Sequence, residues 1–260
     1  MAHIPSSWLG MNKRSWLLTD NTKDSSDNGN AMTYAIEFPG PVTLQVAESD
    51  AVFPVGRIYC VGRNYADHAR EMGHDSDREP PFFFMKPPSA IVLSGATIAY
   101  PTATQELHHE IELIVAIGKG GRNIPVQGAL DHVFGYGVGL DMTRRDLQGE
   151  AKKMGRPWEM GKAFDESAPC SEIRPVALIG HLAKGAITLR INGALKQNGD
   201  LSDMIWSVPE TISYLSQLIT LRAGDLIMSG TPAGVGPVQR GDTLYGQVDG
   251  VGDLTLTYAR

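Results

Sequence analysis

Three acidic residues could carry chemistry in this chain. In "HHEIELIVAIG", His108 to Gly118, Glu110 and Glu112 stand one residue apart in a run otherwise rich in aliphatic side chains. A strand alternates with period two, so both carboxylates point one way while Ile111 and Leu113 point the other. Like charges that close repel unless a cation sits between them or one takes up a proton. Asp141 ends the glycine-rich run "YGVGLD" and has little side-chain bulk beside it, which suits a carboxylate that must meet others across a sheet. Three carboxylates, with no cysteine or histidine at metal-ligand spacing, form a hard oxygen donor set suited to Mg2+ or Mn2+ and not to zinc. The alternative is the wet face of an edge strand, which is the commoner use of E-x-E. Against it, Ile114 and Ala116 follow Glu112 in register, and a face that turns apolar so soon heads into a core, where a carboxylate needs a partner.

Other groups could join them. His68 and Glu71 lie three apart in "ADHAREM", where one helical turn would let the carboxylate orient the imidazole and stabilise its charged form; a plain surface ion pair has the same spacing. Arg145 and Gln148 in "TRRDLQ" could be ordinary surface residues, and Lys162 in "WEMGKAF" stands out because glycine and aromatics surround it. "SGTPAGVG", Ser229 to Gly236, lacks the Gly-Lys-Ser/Thr ending of a phosphate loop. A glycine-rich turn after the strand-like "DLIM" can still offer backbone N–H groups and the Thr231 hydroxyl to a small carboxylate. No G-x-S-x-G elbow occurs, which disfavours a serine hydrolase. Cys60, in the apolar "RIYCVG", reads as a buried inert thiol. It is far from Cys170, the second cysteine, and the pair fits a reduced cytoplasmic setting better than a disulfide.

The elements that must hold these residues are mostly strands. The chain has 260 residues, is 42% hydrophobic, and is therefore able to build a sizeable core. A net charge of −6 gives no reason to expect nucleic acid or an anionic membrane as partner. No apolar run approaches the roughly 20 residues of a membrane span. Strand patterns occur at "YAIEF", "VTLQVA", "RIYCVG", "AIVLS", "IELIVAIG", "VFGYGVGLDM", "AITLRING", "DLIMSGT", "TLYGQV" and "LTLTYA". Helices are expected over Arg144 to Met154 and Ser207 to Leu218, the second capped by Asp203 or Ser207. "HDSDREPPFFFMKPPSA" is too rich in proline and charge for a regular element and reads as a lid or binding loop. The class is mainly β (α+β), with a few short helices. Residues 1–31 contain a polar tract without apolar period and read as a disordered extension, or as an over-called start with Met32 as initiator.

The segments "IYCVGRNYADHAREMG", "FFFMKPPSA", "HHEIELIVAIGK", "GYGVGLDMTRRDLQ", "RPWEMGKAFD" and the long run from "INGALKQNGD" to "GTPAGVGPVQRGD" together resemble the fumarylacetoacetate hydrolase family. The resemblance runs in order and without large gaps from about Phe53 to the C-terminus. "DREPPFFFMKP" and the compact length are most similar to the bacterial acylpyruvases, which cleave fumarylpyruvate in aromatic catabolism. It implies a β-roll, with 32–55 as a small N-terminal segment packed on a catalytic domain at 56–260, commonly as a homodimer. It implies Glu110, Glu112 and Asp141 as ligands of Mg2+ or Mn2+, with Ca2+ as an occupant in crystals. His68 and Glu71 would form a lid dyad that draws a proton from water, with closure of residues 71–89 bringing them in. Gln148 and Lys162 would stabilise the oxyanion, and Arg63, Arg145 and Thr231 would contact a small keto-acid substrate. The metal makes expulsion of an enolate feasible. The same chemistry serves oxaloacetate decarboxylation and isomerisation of 2-hydroxyhepta-2,4-diene-1,7-dioate-type diacids. A small-acid binder without turnover is disfavoured, because none of these positions departs from the family pattern.

Overall fold

The computed structural model describes residues 34–37, 39–67 and 79–260. Gly40–Arg260 form one compact unit, distinct from the N-terminal Met1–Pro39. His68, Glu71 and the helical turn expected around them lie outside the described residues, as does the whole 1–31 extension.

The compact unit is built from strands β1 (Thr43–Gln45), β2 (Val52–Pro54), β3 (Ile58–Gly62), β4 (Phe82–Lys86), β5 (Ile91–Leu93), β6 (Thr97–Ile98), β7 (Leu107–His109), β8 (Ile111–Ile117), β9 (Val133–Leu140) and β10 (Thr143–Arg144). Helices α1 (Arg145–Lys153) and α2 (Glu159–Lys162) follow, then β11 (Ala168–Cys170), β12 (Arg174–Pro175), α3 (Val176–Ile179), β13 (Ala186–Ile191) and β14 (Ala194–Asp200). The chain closes with α4 (Val208–Leu218), β15 (Leu226–Met228), β16 (Gly236–Pro237), β17 (Thr243–Val248) and β18 (Gly252–Tyr258). An eight-stranded mixed sheet runs β4-β3-β15-β8-β9-β11-β5, with β12 also on β9. A five-stranded sheet runs β14-β13-β17-β18-β6, and a short one β10-β7-β16. The architecture is mainly β with few helices, as its alternating segments require.

β8 explains the layering. Its odd residues, Ile111, Leu113, Val115 and Ile117, enter a core shared with Leu189, Leu244 and Leu256 of the five-stranded sheet. Its even residues Ile114 and Ala116 enter a second core with Leu44 and Phe53 of the β1–β2 hairpin. Both neighbours of β8 are paired, so it is a central strand and the wet-edge reading of E-x-E fails. Its partner β9 carries Gly139 opposite Glu112, and a Cβ there would come within 2.8 Å of Met228 and 2.9 Å of Ile114. Only a glycine lets β15 and β8 pack that closely over β9.

Helix α4 starts where expected, after Ser207, not Asp203. The Glu210 carboxylate accepts from the Ser207 N–H at 3.0 Å and from its hydroxyl at 2.7 Å. That is the reciprocal half of a capping box.

Three expectations need correction. "YAIEF" is bend and irregular backbone over 34–37, with Ile36 82% exposed; β-rich composition makes no strand where water satisfies the backbone. "FFFMK" is a strand, pairing antiparallel with β3 from Ile58↔Lys86 to Gly62↔Phe82. The flanking prolines bound it without interrupting it, and its membership of a sheet rules residues 82–86 out of a moving lid. Finally, Glu110 sits between β7 and β8 and not within one strand.

Candidate active site

The break at Glu110 is held by pairing across the sheet, where the Asp141 N–H donates to the Glu110 carbonyl at 2.9 Å. This sets the residue after β9 beside the residue before β8. Glu112 arrives from within β8. One oxygen of each of Glu110, Glu112 and Asp141 lies within 4.8 Å of the others, and all three side chains are buried.

Three cations oppose these acids. Lys162, at the end of α2, places Nζ 2.8 Å from Glu110 Oε2 and 2.6 Å from Asp141 Oδ2. Lys86, the last residue of β4 and fully buried, lies 2.9 Å from Asp141 Oδ1 and also donates to the carbonyls of Met142, at 3.1 Å, and Lys162. Arg145, the first residue of α1, pairs with Glu110 Oε1 and donates at 2.6 Å to Gln148 Oε1 one turn on. Glu110 Oε1 also accepts from the Thr143 hydroxyl at 3.2 Å. Glu112 has no such ion pair within the cluster; its Oε2 accepts from the Gly230 N–H at 2.8 Å. Gly230 has φ +95°, and a Cβ would approach Asn64 to 2.6 Å. The turn needs glycine for its backbone to reach the carboxylate.

Burial first, then the nearby Asp141 and Glu110, pushes the Glu112 carboxyl well above the usual carboxylate range. Burial also works against the Lys162 charge, but Asp141 and Glu110 outweigh it and raise that ammonium's pKa. Among the described residues Asp141 Oδ1, which is buried, is met by the Lys86 ammonium at 2.9 Å and by no other hydrogen-bond donor. An all-oxygen cluster whose three ligand atoms lie this close, with one carboxyl repelled by its neighbours, fits a divalent cation. The acidic triad can therefore hold Mg2+ or Mn2+.

Glu110 and Glu112 floor a narrow cleft whose walls include Arg63, Phe82, Phe84, Lys152, Trp158 and Thr231. Arg63 takes a left-handed φ of 59° and lies over the Phe82 ring at 5.4 Å. Lys152 Nζ is 4.9 Å from the Trp158 ring centre, and Lys162 Nζ is 4.9 Å from that of Phe84. Burial, with Arg145 and Arg63 nearby, brings the Lys152 pKa down to about 8. Of the residues expected here, Arg63, Glu110, Glu112, Arg145, Gln148, Lys162 and Thr231 line the cleft, and Asp141 stands beside them in the acidic triad. His68 and Glu71 lie outside the described residues.

The sequence reading missed Lys86, Lys152 and the Gly230 N–H. Arg145, Gln148 and Lys152 stand at i, i+3 and i+7, one face of a helix, so that signal was present. Nothing local marks Lys86, whose partner is 55 positions away by the numbering of Asp141. Both cysteines are free and buried. Burial raises the Cys170 pKa to about 12 and the Cys60 pKa well above its ordinary value, so neither thiol is poised as a nucleophile.

The fumarylacetoacetate (FAA) hydrolase C-terminal family model matches residues 57–258. The chain belongs to the fumarylacetoacetate hydrolase family. Within it, the chain is 53% identical to a crystal structure of fumarylpyruvate hydrolase from Pseudomonas aeruginosa in complex with Mn2+ and pyruvate, covering 87% of this chain and 99% of that one, with a TM-score of 0.85. It is 46% identical to the mitochondrial oxaloacetate tautomerase of Homo sapiens over 199 residues, 76% of this chain and 90% of that protein. It is 30% identical to the 5-carboxymethyl-2-hydroxymuconate delta-isomerase of Mycobacterium smegmatis, with a TM-score of 0.71 over 87% of this chain and 93% of that one. These three relatives are named for a hydrolase, a tautomerase and an isomerase. Among the described residues no helix is long and apolar enough to cross a membrane.

Proposed function

We propose that the protein hydrolyses the carbon–carbon bond of a 2,4-diketo acid, an acylpyruvate such as fumarylpyruvate, giving pyruvate and fumarate. The observation that carries this reading is the charge pattern of the cleft. Three carboxylates are opposed by Lys86, Arg145 and Lys162, so a divalent ion would leave the floor net positive and ready for an anionic keto acid. Lys152 and Arg63 add positive charge on the walls, where a second substrate carboxylate can lie. Identity of 53% to a fumarylpyruvate hydrolase supports the same choice.

A divalent ion held by Glu110, Glu112 and Asp141 would supply Lewis-acid stabilisation of negative charge developing on the pyruvyl fragment. Arg145 and Thr231 bind the substrate carboxylate. The Gln148 carboxamide gives its oxygen to Arg145, which leaves its NH2 free to orient a water or a substrate oxygen. Lys162 stabilises the oxyanion formed when water adds to the distal carbonyl. His68, oriented by Glu71, takes the proton from that water, a role argued from sequence alone. Phe82, Phe84 and Trp158 restrict water around the reacting bond. The reading includes aromatic-compound catabolism, a cytoplasmic setting and a homodimer, supported by the family likeness and the two free thiols.

The second reading is oxaloacetate tautomerisation, favoured by 46% identity to a protein of that name. It needs a proton shuttle but no activated water. Fumarylpyruvate, acetylpyruvate and oxaloacetate, each followed by absorbance with Mn2+ and with chelator, separate the two. Pyruvate and fumarate released from fumarylpyruvate, and lost on chelation, are expected. Keto–enol interconversion of oxaloacetate without acylpyruvate cleavage would replace the first reading with the second. Full activity after thorough chelation would overturn metal dependence, and no turnover of any of the three would leave a binding protein.

A further inference from the structure

Strand β14, at the edge of the five-stranded sheet, buries Gln197 alone among its residues. A carboxamide taken out of water is costly unless its two donor and two acceptor positions are filled. All four are. Oε1 accepts from the Ile111 N–H at 3.1 Å and meets His109 Nδ1 at 2.9 Å. Nε2 donates to the Pro232 carbonyl at 2.9 Å and to Thr231 Oγ1 at 2.8 Å.

These partners fix the direction of every bond. The Ile111 N–H can only donate, so the atom facing it is the amide oxygen. The Pro232 carbonyl can only accept, so the atom facing it is the amide nitrogen. His109 must then carry its proton on Nδ1, and Thr231 Oγ1 must be an acceptor. With one of its two lone pairs engaged by the Gln197 N–H, the Thr231 hydroxyl cannot spend its proton on Gln197 and has it to give elsewhere. Among the described residues it makes no second hydrogen bond, and Thr231 lines the cleft.

We infer that Gln197 is a positioning residue that biases the polarity of Thr231: by occupying one acceptor position on the hydroxyl, it keeps the Thr231 proton for the cleft, as a donor to a substrate carboxylate or carbonyl oxygen. Resting on the keto-acid reading of the cleft, this adds a residue that never touches substrate. The same carboxamide ties the start of β8, between Glu110 and Glu112, to the turn after β15, so donor and acidic floor move as one piece. A hydroxyl free to rotate would instead spend part of its time as an acceptor and repel a carboxylate.

The test is a double-mutant cycle on pyruvate binding to the Mn2+-loaded protein, measured by calorimetry. Gln197→Met and Thr231→Val are each expected to weaken pyruvate about tenfold, the scale of one hydrogen bond to a charged group. In the Thr231→Val background, Gln197→Met should add less than about twofold, because the hydroxyl it steers is already gone. A purely structural Gln197 would weaken binding equally in both backgrounds, and that result would overturn the inference, as would full affinity in Gln197→Met. A second readout needs no ligand. The 15N shifts of the His109 ring should place the proton on Nδ1, and a proton on Nε2 with Nδ1 bare would reverse the chain and sink the inference. If wild-type protein takes up Mn2+ but no pyruvate, the functional reading fails while the His109 tautomer still decides the polarity.

Discussion

Buried carboxylates in two places of this molecule live in opposite circumstances. Asp225 is 1% exposed and is met by one cation in ideal geometry: Arg57 Nε lies 2.9 Å from Oδ1 and Nη2 2.6 Å from Oδ2. The Arg222 N–H fills another position on Oδ2 at 2.8 Å. Charge is balanced pairwise, and hydrogen bonding to Asp225 raises the Arg57 pKa despite some burial. At Glu110, Glu112 and Asp141 the acids crowd one another, cations are shared, and Glu112 is pushed towards its protonated form. A carboxylate satisfied within the chain holds the fold together. Carboxylates that the chain satisfies only in part are waiting for something else, and the fold supports their repulsion until it arrives.

That contrast can be broken by experiment, and the largest effect should come from the crowded site. Glu110→Ala should lower Mn2+ affinity by about a hundredfold or more and turnover with it, as read from free Mn2+ by electron paramagnetic resonance. Normal affinity would remove Glu110 from the ligand set. Asp225→Asn should do the reverse. It strands the Arg57 charge and should cost about 2 kcal/mol of stability in urea, below the full cost of breaking a buried pair because Arg57 reaches solvent. Its kcat should stay that of the wild type.

A smaller effect sharpens the comparison most. The Glu112 pKa is raised in the folded chain, so its contribution to metal-free stability is fully present below the ordinary carboxylate range and is lost as pH rises through the folded value. At neutral pH Glu112→Gln should therefore stabilise the metal-free protein by about 1 kcal/mol, while removing the extra stability that Mn2+ gives the wild type. Thermal melts at pH 5 and pH 7.5, with and without Mn2+, check both halves; a Glu112→Gln protein less stable than wild type at pH 7.5 without metal would show that the acids are not in conflict. The smallest effect belongs to the wall. Lys152 loses its charge above pH of about 8, so Lys152→Met should raise KM for a dicarboxylate about threefold to tenfold at pH 7. Above that pH the variant and the wild type should converge, and a constant ratio up to pH 9.5 would assign Lys152 a packing role.

Much of this was legible beforehand because the relevant signals are local. The period of "IELIVAIG" correctly separated two faces, and the structure sends them into two different cores. Ser207 was one of two cap candidates beside Asp203, and Glu210, three residues on, closes a capping box on it within one turn. "FFFMK" was misread because prolines on both sides argued against a strand, whereas its pairing is decided by β3, more than twenty residues away in sequence. Lys86 was lost with it. Gln197 was invisible for the same kind of reason: an inward-facing glutamine on an edge strand looks like any exposed polar residue until its four partners come together.

Residue types and short spacings by themselves determined the donor set: two glutamates of one alternating run and an aspartate beyond a glycine-rich one. They also pointed to a hard metal, and placed Cys60 in an apolar run where the structure finds it buried. Only the tertiary structure decided that Glu110 breaks the strand, that Lys86 and Lys162 stand against Asp141, and that the Gly230 N–H and Thr231 reach the same floor from β15. Periodicity records which way a side chain points from its own backbone. Which charges it then meets depends on strands that pair across long loops, and that is settled by the packing of the two sheets.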